Sequence, residues 1–248
     1  MKVIGLISGG KDSIYNLIQC IKNGHEIICL GHLARPDNTG EMDSYMYQTV
    51  GSEMIDAIAE CLGLPLIKKT LSSKPLNLEL NYEETKNDEV EDLFQLLLEV
   101  KQKFPEIEGV STGAIWSVYQ KNRVVNLCER LNLTSLAYLW ERNQKELLMD
   151  MINDGMESLL IKTCVVGLGK EDLLKTLKEA QPKLFELEKI YKINICGEGG
   201  EFESLTVDCP IYKKRINIKD YDVIQHTFDP ISPVFYVIIK SFDIVEKN

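Results

Sequence analysis

The chain has 248 residues, 44% of them hydrophobic and 27% charged, with a formal net charge of −10. That is room for one large domain or two modest ones, in the composition of an ordinary globular protein. The acidic balance argues against broad electrostatic binding to nucleic acid, so no stable nucleic-acid binding is expected. No apolar run approaches the ~20 residues of a membrane helix. Met1-Lys2 leads straight into an apolar segment without a signal-peptide pattern, so no membrane association is expected. Seven cysteines, scattered and without any C-x-x-C, read as reduced thiols of a cytoplasmic protein. The three histidines form no metal-ligand spacing with them, so no zinc site is expected.

In chain order, Val3-Ile4-Gly5-Leu6-Ile7 reads as a short buried strand. Ile14, Leu17, Ile18 and Ile21 fall at i, i+3, i+4 and i+7 and predict a helix. Between them stands Ser8-Gly9-Gly10-Lys11-Asp12-Ser13. Strand, glycine turn and helix N-terminus together make a phosphate cradle, because the backbone can come close and the N–H groups and helix dipole face the anion. A plainly capped turn with a solvated lysine is the bland alternative. Residues 26–33 read as the second strand. Loops after strand C-termini line the crevice of a parallel sheet, so His32, Leu33 and Ala34 are expected to border a nucleotide. His32 reads as a wall or a base partner, not a catalyst. Residues 43–50, with Tyr45, Tyr47 and Gln48, are polar and aromatic. They precede a helix with Met54, Ile55, Ile58, Ala59 and Leu62 on one face. Spacing alone favours a helix entry with packed tyrosines over a substrate wall.

Residues 64–67 make a third strand, and the polar stretch 72–88 is a long loop of the kind that often forms lids or stays disordered. A helix follows over 89–104, with Val90, Leu93, Phe94 and Leu97 inward and Pro105 closing it. Residues 109–114 form a fourth strand and its exit, where Ser111, Thr112, Gly113 and Ala114 would let a base or phosphate approach the backbone. The next helix turns Val124, Leu127, Cys128 and Leu131 inward, with Tyr119, Gln120 and Arg123 near its start. Residues 136–139 form a fifth strand ending at Trp140. Five successive βα units predict an α/β fold, a doubly wound five-stranded parallel sheet.

The second half changes character. A helix at 147–152 leads to a strand at 158–166, then helical stretches at 173–177 and 184–190, then strands at 193–196, 205–207, 211–218, 223–225 and 234–243. This reads as a smaller C-terminal α+β domain, which places the domains at 1–142 and 143–248. Within it stands Gly197-Glu198-Gly199-Gly200-Glu201-Phe202-Glu203-Ser204. Three carboxylates this close repel and call for a counter-cation, either Mg²⁺ or a positive substrate group. A solvated acidic turn is the equal alternative.

Gly5 to Lys11 nearly spells the P-loop pattern, but Asp12 stands where the Mg²⁺-binding hydroxyl belongs. Ser8 to Ser13 instead resembles the PP-loop of ATP pyrophosphatases, of the adenine nucleotide alpha-hydrolase-like fold, which cut ATP between its α- and β-phosphates and transfer AMP. With residues 43–51, 109–115, Tyr119-Gln120, 136–140 and 198–204 added, the whole chain resembles the diphthine–ammonia ligase family. Phe202 and Ser204 stand where that family often has Tyr and Thr.

The resemblance implies a ligase that uses ATP and Mg²⁺ to adenylate the carboxylate of diphthine on translation elongation factor 2. Ammonia, taken from free ammonium, then displaces AMP to give diphthamide. On that footing Lys11 and Asp12 are the candidate catalytic residues. The amides of Gly9, Gly10 and Asp12 face the phosphates, Ser8 and Ser13 flank them, and Asp12 places Mg²⁺. His32, Leu33, Ala34, Ser111, Thr112, Gly113 and Ala114 frame the adenosine. The trimethylammonium of the substrate would be received by Glu198, Glu201 and Glu203, or by an aromatic such as Tyr45, Tyr47 or Trp140. Gln48, Tyr119, Gln120, Gly199 and Gly200 complete the substrate side. Two rivals stay open: a PP-loop enzyme acting on another substrate such as tRNA, and a non-catalytic ATP sensor.

Overall fold

A computed structural model of the chain describes residues 1–34 and 50–247; Tyr45, Tyr47 and Gln48 lie outside them. The chain divides into two compact units. One comprises Met1–Ser8, Asp12–Ile55 and Leu64–Trp140, the other Gly9–Lys11, Asp56–Gly63 and Glu141–Asn248. Among the described residues no helix is long and apolar enough to cross a membrane.

The first unit is built on a parallel five-stranded sheet of β1 (Lys2–Leu6), β2 (Glu26–Ala34), β3 (Leu66–Thr70), β4 (Gly109–Ser111) and β5 (Thr134–Leu136). Their order is β3-β2-β1-β4-β5, so the expected α/β fold class stands. The chain moves outward from β1 to β3, then jumps back to β4 on the other side of β1. The gap between β1 and β4 is therefore the switch point, where open sheets bind ligands. The helix α1 (Lys11–Lys22) lies directly on β1: a Cβ at Gly5 would stand 2.5 Å from the Leu17 side chain. The helices α3 (Glu89–Lys103) and α4 (Val118–Leu131) close an apolar cluster with the sheet, joining Leu93, Leu97, Val124 and Leu127 to Ile4, Cys29, Leu33 and Val110.

Three differences from the sequence reading have physical causes. The third strand runs past residue 67 to Thr70, because β3 is an edge strand and pairs with β2 as far as Ala34. The fifth strand begins and ends earlier than expected, at Thr134–Leu136. Asn16, fully buried on α1, stops it: Nδ2 donates to the Leu136 carbonyl (2.8 Å) and Oδ1 accepts from Tyr138 N–H (2.8 Å). The same Nδ2 also donates to Ser111 Oγ at 2.7 Å, so one side chain ties α1 to the exits of β4 and β5. Asn16→Ala strands these groups and is expected to cost about 3 kcal/mol of stability. Urea unfolding reads this, and a loss under about 1 kcal/mol would deny Asn16 that role.

The third difference concerns the loop 72–88, which is tied down along its length. Asp92 accepts from the N–H groups of Ser72 (2.8 Å) and Ser73 (2.9 Å). Asp88, fully buried, accepts from those of Leu76 and Asn77 (2.8 Å each) and caps α3 through Val90 N–H (2.9 Å).

The second unit carries an antiparallel sheet of order β7-β6-β9-β8. Its strands are β6 (Glu157–Thr163), β7 (Phe202–Asp208), β8 (Lys214–Gln225) and β9 (Phe235–Glu246). The separate strands expected at 211–218 and 223–225 are one continuous β8, paired with β9 along the hairpin with the register shifting around Asp220. The helices are α2 (Ile55–Leu62), most of which belongs here, α5 (Gln144–Asn153) and α6 (Leu177–Tyr191). Leu173 and Leu174 are not helical. Leu174 has φ +61° and donates its N–H to the Leu160 carbonyl (2.7 Å), hooking the chain to β6 before Thr176 caps α6. Residues 193–196, expected as a strand, are irregular chain leading into a turn at 195–196, with the side chains of Ile193, Ile195 and Cys196 buried.

Candidate active site

In the first unit, chain leaves β1 through Ile7 and Ser8. Ser8 N–H donates to Ser13 Oγ (3.3 Å), and the two hydroxyls lie 3.4 Å apart. Asp12 and Ser13 stand in the first turn of α1, where helix N–H groups face the incoming chain and not carbonyls of their own helix. The exit of β4 presses on this turn. A Cβ at Gly113 would stand 2.6 Å from the Asp12 carbonyl carbon and 2.7 Å from the Ser13 nitrogen. The small residues after β4 and the helix start after β1 are thus brought together at the switch point.

His32 is buried, with Nδ1 2.9 Å from the Ile7 carbonyl. A carbonyl can only accept, so Nδ1 carries the proton and the ring is fixed beside the end of β1. Leu33 packs into the apolar cluster with α3, which leaves only its backbone for a ligand. Ser111 is buried on Asn16. Tyr119 and Trp140 both lie under cations of the chain itself. The Arg123 guanidinium stands 3.2 Å from the Tyr119 ring centroid, and Lys121 Nζ stands 4.0 Å from that of Trp140. Burial pushes the Tyr119 phenol up from its ordinary value. Gln120 donates its N–H to Ser117 Oγ (3.3 Å), the cap of α4.

In the second unit, Gly9 takes φ +87°, a conformation that favours glycine, and its carbonyl accepts from Thr206 N–H (2.9 Å). Lys11 is 3% exposed. Its N–H donates to Ser204 Oγ (3.1 Å), its ammonium donates to the Cys196 carbonyl, and Nζ lies 5.1 Å from the Phe202 ring centroid.

The acidic loop is organised from within. Glu201 accepts from Asn194 N–H (2.8 Å), Asn194 Nδ2 (2.9 Å) and Gly199 N–H (2.9 Å). Glu203 pairs with Lys162 at 3.1 Å. Glu201 and Glu203 are thus held by donors of the chain itself. Gly197 (φ +73°) and Gly200 (φ +83°) give the loop its turns. Sequence reasoning missed Asn16, Lys162, and the contacts of Cys196, Phe202 and Ser204 with Lys11. Only Asn16 left a signal, a polar residue inside the apolar run of α1.

Comparison with known proteins agrees along the whole chain. The family described as diphthamide synthase N-terminal domain matches residues 1–135, and the diphthamide synthase C-terminal domain matches 143–236. A diphthine–ammonia ligase of Rattus norvegicus is 48% identical, covering 100% of this chain and 94% of the relative. That of Homo sapiens is 47% identical over the same shares. That of Schizosaccharomyces pombe is 48% identical over 92% of this chain, which spans only 38% of that longer relative. A solved structure described as a predicted subunit of tRNA methyltransferase from Methanocaldococcus jannaschii overlaps at TM-score 0.36 and 17% identity, over 85% of this chain and 98% of that one. That overlap is too loose to carry the fold, which rests on the strand order.

Proposed function

The chain belongs to the diphthamide synthase (diphthine–ammonia ligase) family, an enzyme family that forms a C–N bond, and we propose that it amidates diphthine on translation elongation factor 2. In this reading the diphthine carboxylate attacks the α-phosphorus of ATP and pyrophosphate leaves. Ammonia then attacks the acyl-adenylate, expels AMP and loses a proton, leaving diphthamide. The observation that carries the reading is Lys11: a buried ammonium following two glycines, one at positive φ, at the start of a helix. A desolvated cation with helix N–H groups beside it suits the charge that develops on phosphate oxygens.

On binding, Lys11 exchanges its carbonyl partner for a phosphate oxygen. The approach of Gly113 to Asp12 and Ser13 supports a site where backbone meets ligand without side chains between. His32, Ala34 and residues 111–114 frame the adenosine. Asp12, a carboxylate in that first turn, suits Mg²⁺, which takes one or two carboxylates plus phosphate oxygens. Mg²⁺ would supply charge neutralisation across the phosphates. In this reading Glu198, Glu201 and Glu203, or an aromatic such as Trp140, receive the trimethylammonium. None of the seven cysteines forms a disulfide, in keeping with a cytoplasmic enzyme.

The test is release of AMP and pyrophosphate from ATP and Mg²⁺ with diphthine-bearing elongation factor 2, with and without ammonium. The expected result is an amide on the factor only when ammonium is present. Tight ATP binding with no cleavage would make the chain a sensor, and cleavage that follows tRNA instead would move the substrate.

A further inference from the structure

The leucines of the loop 72–88 are held outward by buried polar groups. Exposure alternates residue by residue from Ser72 to Leu78, as in extended chain. The inward side carries Asn77, whose Nδ2 donates to Thr85 Oγ1 (3.2 Å). The main chain is satisfied within the protein. Asp88 takes the N–H groups of Leu76 and Asn77, and Asn122 Nδ2 donates to the Leu80 carbonyl (2.9 Å). Arg123 Nη2 donates to the carbonyls of Asn77 and of Glu79 (3.1 Å). Arg123 is fully buried, with its guanidinium 3.2 Å from the Tyr119 ring centroid and 5.2 Å from that of Tyr82. Facing outward, Leu76, Leu78 and Leu80 are 57%, 58% and 60% exposed. Together they show roughly 350 Å² of apolar surface to water, the size of the largest patch on a typical monomer, which is often functional.

We infer that this leucine ridge docks the polypeptide that carries the diphthine side chain. The inference rests on the ligase reading above and adds the surface by which its protein substrate is held. The ridge is small beside the ~800 Å² per partner of a stable interface, which disfavours a second copy of this chain and suits a substrate that must leave. From Leu76 to Thr85 the sequence contains Glu79, Glu83 and Glu84 and no Lys or Arg; Lys74 and Lys86 flank the stretch and Glu84 pairs with Arg130 at 3.4 Å, so the matching surface is apolar with basic groups opposite Glu79 and Glu83. An acidic chain of net charge −10 is again a poor partner for itself. Because the backbone groups at Leu76, Asn77, Glu79 and Leu80 are already bonded, the contact is through side chains and not by strand addition. The ridge also sits at the right edge of its unit: Tyr119, Asn122 and Arg123, which hold it, lie in the first two turns of α4, the helix that follows the β4 exit.

The experiment compares wild type with a variant carrying Leu76→Ser, Leu78→Ser and Leu80→Ser, all three at exposed positions. The readouts are the Kd for diphthine-bearing protein, the Kd for ATP, and kcat and KM for amide formation. Binding of the protein at least tenfold weaker, with KM raised to match and with kcat and ATP affinity within twofold of wild type, is the expected result. If wild type forms the amide and the variant keeps its KM, the ridge is not the docking surface and the ligase reading stands. If wild type forms no amide on that protein, the ligase reading falls and takes the occupant of the ridge with it.

Discussion

Lys11→Ala is expected to lower AMP and pyrophosphate formation about a thousandfold while the fold survives. The magnitude is that of one preorganised donor aimed at developing charge in a desolvated site, which typically supplies 10² to 10³ in rate. Lys11 meets both conditions, being 3% exposed with its ammonium held on the Cys196 carbonyl beside the Phe202 ring. The cost to stability is smaller. The bond from Lys11 N–H to Ser204 Oγ is made by the main chain and persists in alanine. What is lost includes the ammonium's bond to the Cys196 carbonyl and its approach to the Phe202 ring, the bond worth about 1–3 kcal/mol. Lys11→Arg separates charge from shape: a guanidinium is bulkier and forked, so arginine should restore only a small part of the rate. Single-turnover AMP formation, with circular dichroism as the control for folding, makes the measurement. Turnover within tenfold of wild type in the alanine variant would remove Lys11 from the chemistry.

Gly113→Ala is expected to weaken ATP binding by roughly a hundredfold, the scale of a strained close contact. The added methyl would lie 2.6 Å from the Asp12 carbonyl carbon, 2.7 Å from the Ser13 nitrogen and 2.8 Å from the Asp12 oxygen. These are backbone atoms of a helix start, with no flexible side chain to swing aside. Either α1 or the exit of β4 must move, and both are proposed to frame the nucleotide. Gly113 is needed for space alone, so serine should do no better than alanine. Calorimetric titration with ATP reads the affinity and thermal unfolding reads the fold. An unchanged Kd in a folded Gly113→Ala protein would separate the β4 exit from the nucleotide site.

What the sequence determined by itself is local in kind. The strand, glycine turn and helix around residues 8–13 were legible because a buried run of five, a turn of two glycines and a 3.6-residue period are each written in consecutive residues. The same holds for the alternation of strands and helices that announced a parallel sheet. Family membership was legible too, since short motifs spaced along the whole chain carry it.

Tertiary structure decided what depends on partners far apart in sequence. Asn16 fixes the end of β5 from 120 residues away, and no local pattern at 136–139 announces that the strand must stop at Leu136. Glu203 finds Lys162 from 41 residues away, so one carboxylate of the acidic run has its cation within the chain. Residues 72–88 read as a long loop, of the kind that often forms lids or stays disordered, because their composition is polar. They are fixed because Arg123 and Asp92 reach them from helices that come later in the chain, while Asp88, the last residue of the stretch, folds back on Leu76 and Asn77. A hydrogen bond or ion pair is chosen by proximity in the folded chain, and proximity across a sheet follows from strand order. Local periodicity sets which residues face inward. Which inward-facing polar group then meets which is settled only when the strands take the order β3-β2-β1-β4-β5.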